Sequence, residues 1–436
     1  MSIPANAIAR RKPAPVIEVA DLQVHFRTKG APVRAVDGVG FDIHENEILG
    51  LVGETGCGKS VTARSLIGLL PIPPAFVPGG RVTFRPGGRC LFCSGVGCWE
   101  CNESGEAVCR SCDGRGCEAC ESTGRPAVDL LRLRGRRMRA IRGARIAMIF
   151  QDPSKALNPV LTVRDQIAEV FYYHRAPELL AEFGERASRL VERAAHQESR
   201  LGERLLLKLP PIRSQARRLE ARVDDLVADA LSEVRIANPR KIMNSYHHEL
   251  SGGMKQRVMI ALAIAGDPDV LIADEPTTAL DTTVQARILE LILQLQQQRR
   301  AAVLYISHDL SVVRLVCDRV AVMYAGRVVE LGAAEEVFRN PLHPYTRALL
   351  SAIPAVEHER GHLAAIKGSV PEFVDPSPCC RFNNRCPFAA PICRDTNPPL
   401  HEHEGHEVAC FGYERPEDVG RSPSEMPSLD AASESA

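Results

Sequence analysis

An apolar run, Ile48-Leu-Gly-Leu-Val52, passes without a break into Gly53-Glu-Thr-Gly-Cys-Gly-Lys-Ser60. A short run with no polar alternation reads as a strand buried on both faces. The G-x4-G-K-S stretch then opens a helical pattern expected to continue through Leu66, Ile67 and Leu70. Strand, glycine-rich turn and helix in that order describe a phosphate-binding loop. The glycines let successive backbone N–H groups converge on phosphate oxygens, and the positive helix end adds to the attraction. Lys59 is expected to reach the β- and γ-phosphates of a nucleotide, and Ser60 to ligate Mg2+. Cys57, inside the loop, reads as a small filler.

The rest of the chain alternates β-type runs with helical patterns, as an α/β domain does. Val270-Leu-Ile-Ala is a second expected strand, placed beside the first, and it ends in Asp274-Glu275. There Asp274 is positioned to hold Mg2+ and Glu275 to polarise an attacking water. A mere helix-capping acidic pair is the weaker reading, because Pro-Thr-Thr-Ala-Leu-Asp281 follows. Leu250-Ser-Gly-Gly-Met-Lys-Gln-Arg257 opens a further helix expected to run to Ala265, with Ser251 as N-cap. The N–H groups near Gly253 make a second anion site. One nucleotide does not need two phosphate-binding helix ends from one chain, whereas two chains facing head to tail do.

Gly53–Ser60, Gln151, Leu250–Arg257, Asp274–Glu275, Asp281 and His308 together resemble the full motif set of ABC-transporter ATPase subunits. In that family ATP lies between the phosphate-binding loop of one subunit and the signature motif of the other. The resemblance implies nucleotide contacts from Gly53, Glu54, Thr55, Gly56, Cys57, Gly58, Lys59, Ser60 and Val61, with Phe26 against adenine. Val61 stands where many members carry a hydroxyl, but the peptide-uptake branch commonly has Val. It also implies a signature of Ser251, Gly252, Gly253 and Gln256 facing the partner's ATP. Gln151 would sense Mg2+ and the membrane partner, Asp281 would lie between the two ATP sites, and His308 would contact the γ-phosphate. Met148-Ile-Phe-Gln-Asp-Pro, Leu157-Asn-Pro, Asn340-Pro-Leu-His-Pro-Tyr-Thr-Arg and the last cysteines narrow the likeness to the oligopeptide/dipeptide/nickel importer branch.

Fifteen cysteines divide as eight between Cys90 and Cys120, five between Cys379 and Cys410, and the isolated Cys57 and Cys317. Cys90, Cys93, Cys98 and Cys101 recur 19 residues later as Cys109, Cys112, Cys117 and Cys120, each half reading C-x2-C-x-G-x-G-C-x2-C-x3-G. Four C-x2-C knuckles supply enough thiolates for two tetrahedral Zn2+ sites. Such a segment cannot bury a core, but a structural Zn2+ contributes about 10–16 kcal/mol of folding free energy. The knuckles resemble the zinc domain of J-protein co-chaperones, and which of them pair stays open. Cys380, Cys386, Cys393 and Cys410 match the end of peptide-importer ATPases, for which the resemblance implies a [4Fe–4S] cluster; spacing alone also allows Zn2+. Cys379 is left over, and His401, His403 and His406 read as solvated loop residues.

The expected organisation is a flexible start at 1–15, an ABC-type P-loop ATPase domain at 16–335 and a C-terminal Cys-cluster region at 336–415. The ATPase domain would contain a small antiparallel β subdomain, a Cys-rich zinc module at 88–125 and a helical subdomain at 160–250. Leu179, Phe183, Ala187, Leu190 and Ala194, then Leu219, Val223, Leu226, Ala230 and Val234, recur at helical spacing. They suggest an inserted helical hairpin over 178–222, divided at Pro210-Pro211. The polar stretch 416–436 reads as disordered.

Lys plus Arg number 54 and Asp plus Glu number 54, so gross charge does not favour a polyanion partner. No apolar run approaches a membrane span of ~18 residues, and no secretory h-region is seen. The family likeness implies ATP and Mg2+, a second ATPase subunit, two transmembrane permease subunits and, indirectly, an extracytoplasmic solute-binding protein. The place implied is peripheral, on the cytoplasmic face of the cell membrane. Peptide import is the leading expectation and nickel or another small solute an alternative. A DNA-repair ABC ATPase with a zinc module is the alternative of another class.

Overall fold

The structure, a computed structural model, describes residues 15–87, 125–175, 179, 210–278, 280–352, 374, 376 and 378–419. Two sheets organise these residues. The antiparallel sheet contains β1 (Ile17–Phe26), β2 (Val33–Ile43), β4 (Ala75–Phe76), β5 (Arg81–Phe84) and β6 (Val128–Asp129), in the order β2-β1-β5-β6 with β4 also on β1. The larger sheet contains β3 (Ile48–Val52), β7 (Ile146–Ile149), β8 (Val270–Asp274), β9 (Ala302–Ser307), β10 (Arg319–Tyr324), β11 (Arg327–Ala333), β12 (His401–His403) and β13 (His406–Val408). Its order is β12-β13-β11-β10-β3-β9-β8-β7, parallel from β10 to β7 and antiparallel beyond β10.

The parallel strands lack polar alternation because both of their faces are covered. In β3, Ile48 and Val52 join one core while Leu49 and Leu51 join the other. In β9, Val303 and Tyr305 face the first core and Ala302, Leu304 and Ile306 the second. The first core is closed by the helices Val163–His174, Pro210–Glu233, Gly252–Ile264, Thr282–Arg299 and Leu310–Val316. The second is closed by the antiparallel sheet and the helix Lys59–Leu66.

Several expectations change. The helix after the glycine-rich loop stops at Leu66, and Leu70 lies beyond it. The Asp274 strand is not beside β3, because β9 pairs with both and separates them. The Pro210–Glu233 helix begins at its prolines, where missing N–H groups cost nothing, and passes the expected boundary at 222. Its Leu219, Val223, Ala230 and the following Val234 are buried, as is Leu179, while 180–209 lie outside the described residues. The histidines of 401–406 do not form a solvated loop. They build the β12–β13 hairpin on the edge of the large sheet, where His406 is 3% exposed. Pro416–Val419 forms a helical turn inside the stretch expected to be disordered.

β5 and β6 are antiparallel neighbours, with Thr83 opposite Asp129 and Phe84 opposite Val128. The chain therefore leaves for the knuckle segment and returns from it at one edge of the antiparallel sheet. Cys90–Cys120 themselves lie outside the described residues.

Candidate nucleotide-binding site

Four parallel strands deliver the candidate residues from their carboxyl ends. β3 leads into Gly53–Ser60, β7 into Gln151, β8 into Asp274-Glu275, and β9 into His308. The crevice at the carboxyl ends of parallel strands is where open α/β sheets take ligands.

The loop's shape requires its glycines. Gly58 has φ 104°, and a Cβ there would sit 2.4 Å from the Ala35 carbonyl oxygen. A Cβ on Gly53 would stand 2.0 Å from the Met323 carbonyl oxygen. Thr55 and Gly56 are exposed at the tip. Lys59 is 5% exposed and folds back over the loop, its Nζ donating to the carbonyls of Gly53 at 2.7 Å and Glu54 at 3.0 Å. Cys57 is buried, and burial pushes its thiol up, which fits a filler and not a nucleophile. Val61 and Phe26 pack partly buried on the second core. Phe26 ends β1 opposite Val33 and Ala75.

Ser60 Oγ donates to Asp274 Oδ1 at 2.8 Å, joining the loop to the end of β8. Asp274 is 1% exposed, and burial raises its carboxyl above the usual carboxylate range. Its Oδ2 is buried without a hydrogen-bond partner. A carboxylate oxygen in that state beside a hydroxyl is a donor set suited to Mg2+. Glu275, next in the chain, has φ 47°, a region unfavourable to a non-glycine residue. Its N–H is held by the Ile306 carbonyl at 3.0 Å. The carboxylate meets Gln151 Nε2 at 2.8 Å, the Thr278 hydroxyl at 3.0 Å and His308 Nδ1 at 3.1 Å. Residues from the ends of β7, β8 and β9 thus meet on one oxygen pair. Thr278 was not singled out from the sequence, although its position three residues after Glu275 permits the contact.

Ser251 caps the Gly252–Ile264 helix, accepting from the Met254 N–H at 3.4 Å, and Ser251 and Gly252 are exposed. A Cβ on Gly253 would press Val284 at 3.0 Å. Gln256 behaves differently from the expectation that it faces outward with them. It is 2% exposed and donates its amide to the Pro276 carbonyl at 2.5 Å, tying the signature helix to the turn after Glu275. Its place one helical turn inward explains this. Asp281 caps the Thr282–Arg299 helix through the Val284 N–H at 2.9 Å.

In the C-terminal region, Cys380, Cys386, Cys393 and Cys410 line one cavity with Phe382, Phe388 and Phe411. Burial raises three of these thiols, Cys380 to about 11, Cys410 to about 12, and Cys386 beyond that range. Four soft donors on one cavity suit Zn2+ or an iron–sulfur cluster in kind. Among the described residues, no three His, Cys, Asp or Glu side chains stand in metal-binding geometry. Cys379 stays outside that cavity and receives Asn383 Nδ2 at 3.3 Å.

Comparison with known proteins decides what this constellation belongs to. Residues 36–87 and 122–278 match the ABC transporter family, and residues 329–393 match the oligopeptide/dipeptide transporter C-terminal region. A probable peptide ABC transporter ATP-binding protein of Sinorhizobium fredii is 40% identical over 400 residues, covering 91% of this chain and 94% of the relative. The chain belongs to the ATP-binding subunits of the oligopeptide/dipeptide ABC transporter family. The dipeptide transport ATP-binding protein DppD of Bacillus subtilis is 38% identical, covering 91% of this chain and 94% of its own. The oligopeptide transport ATP-binding protein AppD of the same species is 36% identical, covering 92% and 97%. A solved ATP-binding cassette dimer bound to ADP and Pi aligns at 18% identity and TM-score 0.46, over 73% of this chain and 98% of that one. As a member of this family the subunit is an ATPase, and the DNA-repair alternative is set aside. No helix among the described residues is long and apolar enough to cross a membrane.

Proposed function

We propose that this subunit hydrolyses ATP to drive peptide import, working peripherally on the cytoplasmic face of the membrane with two permease subunits and a solute-binding protein. The names of its relatives supply the substrate class, since they are peptide, dipeptide and oligopeptide transport proteins. The observation carrying the catalytic part is Glu275, held by Gln151, Thr278 and His308 beside the Ser60–Asp274 pair. Gly53–Val61 cradle the phosphates, and Lys59 exchanges its two loop carbonyls for β- and γ-phosphate oxygens. Ser60, Asp274 and Gln151 would hold Mg2+, which when bound neutralises charge on the transferring phosphoryl group. Glu275 orients the attacking water, and His308 keeps Glu275 in place while facing the γ-phosphate. Ser251, Gly252 and Gly253 offer an anion site to the ATP of a second ATPase subunit, with Asp281 between the two sites.

Uptake of a labelled dipeptide or oligopeptide into vesicles carrying the assembled importer tests the substrate class. ATP-dependent peptide uptake is expected; nickel uptake without peptide uptake would move the subunit to the other substrate of its branch.

For the metals, the cavity shared by Cys380, Cys386, Cys393 and Cys410 supports one four-thiolate centre. We read it as [4Fe–4S] from the family resemblance, with Zn2+ as the alternative, and the knuckle spacing of Cys90–Cys120 supports two Zn2+. Elemental and acid-labile sulfide analysis of anaerobically purified protein should find about four Fe and two Zn per chain. Zinc without iron or sulfide would overturn the cluster.

A further inference from the structure

Glu54, the second residue of the phosphate-binding loop, is held at three places. Its carbonyl accepts Lys59 Nζ at 3.0 Å, from within the loop. Its N–H donates to the Tyr345 hydroxyl at 2.9 Å, across 291 residues. Its carboxylate receives both terminal nitrogens of Arg385, at 2.8 and 3.0 Å, across 331 residues.

The side chains of the two distant partners are buried. Tyr345 is 0% exposed in the helix Pro344–Ser351, and the Arg385 side chain is 5% exposed. Arg385 also donates to the Tyr324 hydroxyl at 3.2 Å and lies over the rings of Tyr324 and Phe382 at 5.7 and 6.0 Å. The Tyr345 ring packs 4.5 Å from Tyr324 and 5.6 Å from Phe382. A guanidinium gripping a carboxylate with two parallel bonds fixes angle as well as distance. With aromatic walls behind it, the pair determines where Glu54 can lie.

A phosphate-binding loop draws its affinity from N–H groups already turned inward, because ordering them on binding would cost conformational entropy. Within the loop, the entry side is held by Lys59 Nζ on the Gly53 and Glu54 carbonyls, contacts that the nucleotide reading has Lys59 give up when it turns to a phosphate. We propose that Arg385 and Tyr345 are positioning residues of the nucleotide site, so that the C-terminal region is a working part of the phosphate-binding loop. They touch no phosphate and act through Glu54. This rests on the nucleotide reading above, and Mg-ATP binding by the unaltered chain tests that reading separately from the clamp.

The test is Mg-ATP titration of the full chain by calorimetry, with phosphate release measured alongside. Arg385→Gln and Glu54→Gln should each raise the Kd and KM for ATP about tenfold, the order expected from unpairing a partly buried, bidentate charge-assisted contact. The double variant should be no weaker than the weaker single, because both remove one contact. Phosphate release by Arg385→Gln at saturating ATP should stay within about twofold, since Arg385 touches neither the phosphates nor the reacting atoms. Arg385→Lys should recover part of the affinity, and Tyr345→Phe should weaken it while the fold melts at an unchanged temperature. If Arg385→Gln fails to fold, Glu54→Gln, equal in volume and partly exposed, carries the test alone. Unchanged ATP affinity in Glu54→Gln, or fully additive losses in the double variant, would overturn the clamp.

Discussion

At the scale of single residues, the loop was legible because each residue type in it has one physical reason to be there. Gly58 shows this most directly, with φ 104° and a carbonyl 2.4 Å from where a Cβ would go. Gly58→Ala is expected to destabilise the fold by about 2 kcal/mol or more, or to shift the loop and abolish ATP binding. Thermal melting together with ATP titration checks this, and a variant normal in both would show that the loop tolerates a side chain there. Other site residues were not legible. Tyr345 and Arg385 reach Glu54 across 291 and 331 residues, a distance over which no spacing pattern carries information. That Gln256 turns inward in this chain was not legible either, because a motif names its residues without saying which way each one points.

Elements were easier to see than their order. The apolar runs at Ile48–Val52 and Val270–Ala273 announced strands covered on both faces, and the structure buries every residue of both, Asp274 at the end of the second included. That β9 lies between them depends on a run almost 30 residues further along, and nothing in either strand specifies its neighbour. The β12–β13 hairpin was hidden for a different reason. Its strands are three residues each and rich in histidine, too short for alternation to appear. The knuckle segment enters between β5 and β6, an edge pair of the antiparallel sheet. An insertion at an edge turn leaves the sheet's other pairs intact. Replacing 89–124 with a short Gly-Ser turn should therefore keep ATP hydrolysis within about twofold of the full chain. A large loss of turnover would make the segment part of the catalytic machinery.

Taken whole, the chain gathers one phosphate-binding loop, one acidic strand end and one exposed signature helix end around the carboxyl edge of a single sheet. The C-terminal region is joined to this body through the large sheet, through Arg381 on Asp37 and through Arg385 on Glu54. That integration was not visible in a sequence that reads as a domain followed by a cysteine-rich appendage. The account stands or falls on Glu275, whose carboxylate is the meeting point of three strand ends. Steady-state phosphate release by Glu275→Gln at saturating Mg-ATP is the most direct measurement of it. The expected result is a fall of about a hundredfold or more with ATP affinity kept, because the group acts on the water and not on binding. Phosphate release at the rate of the unaltered subunit would contradict the assignment.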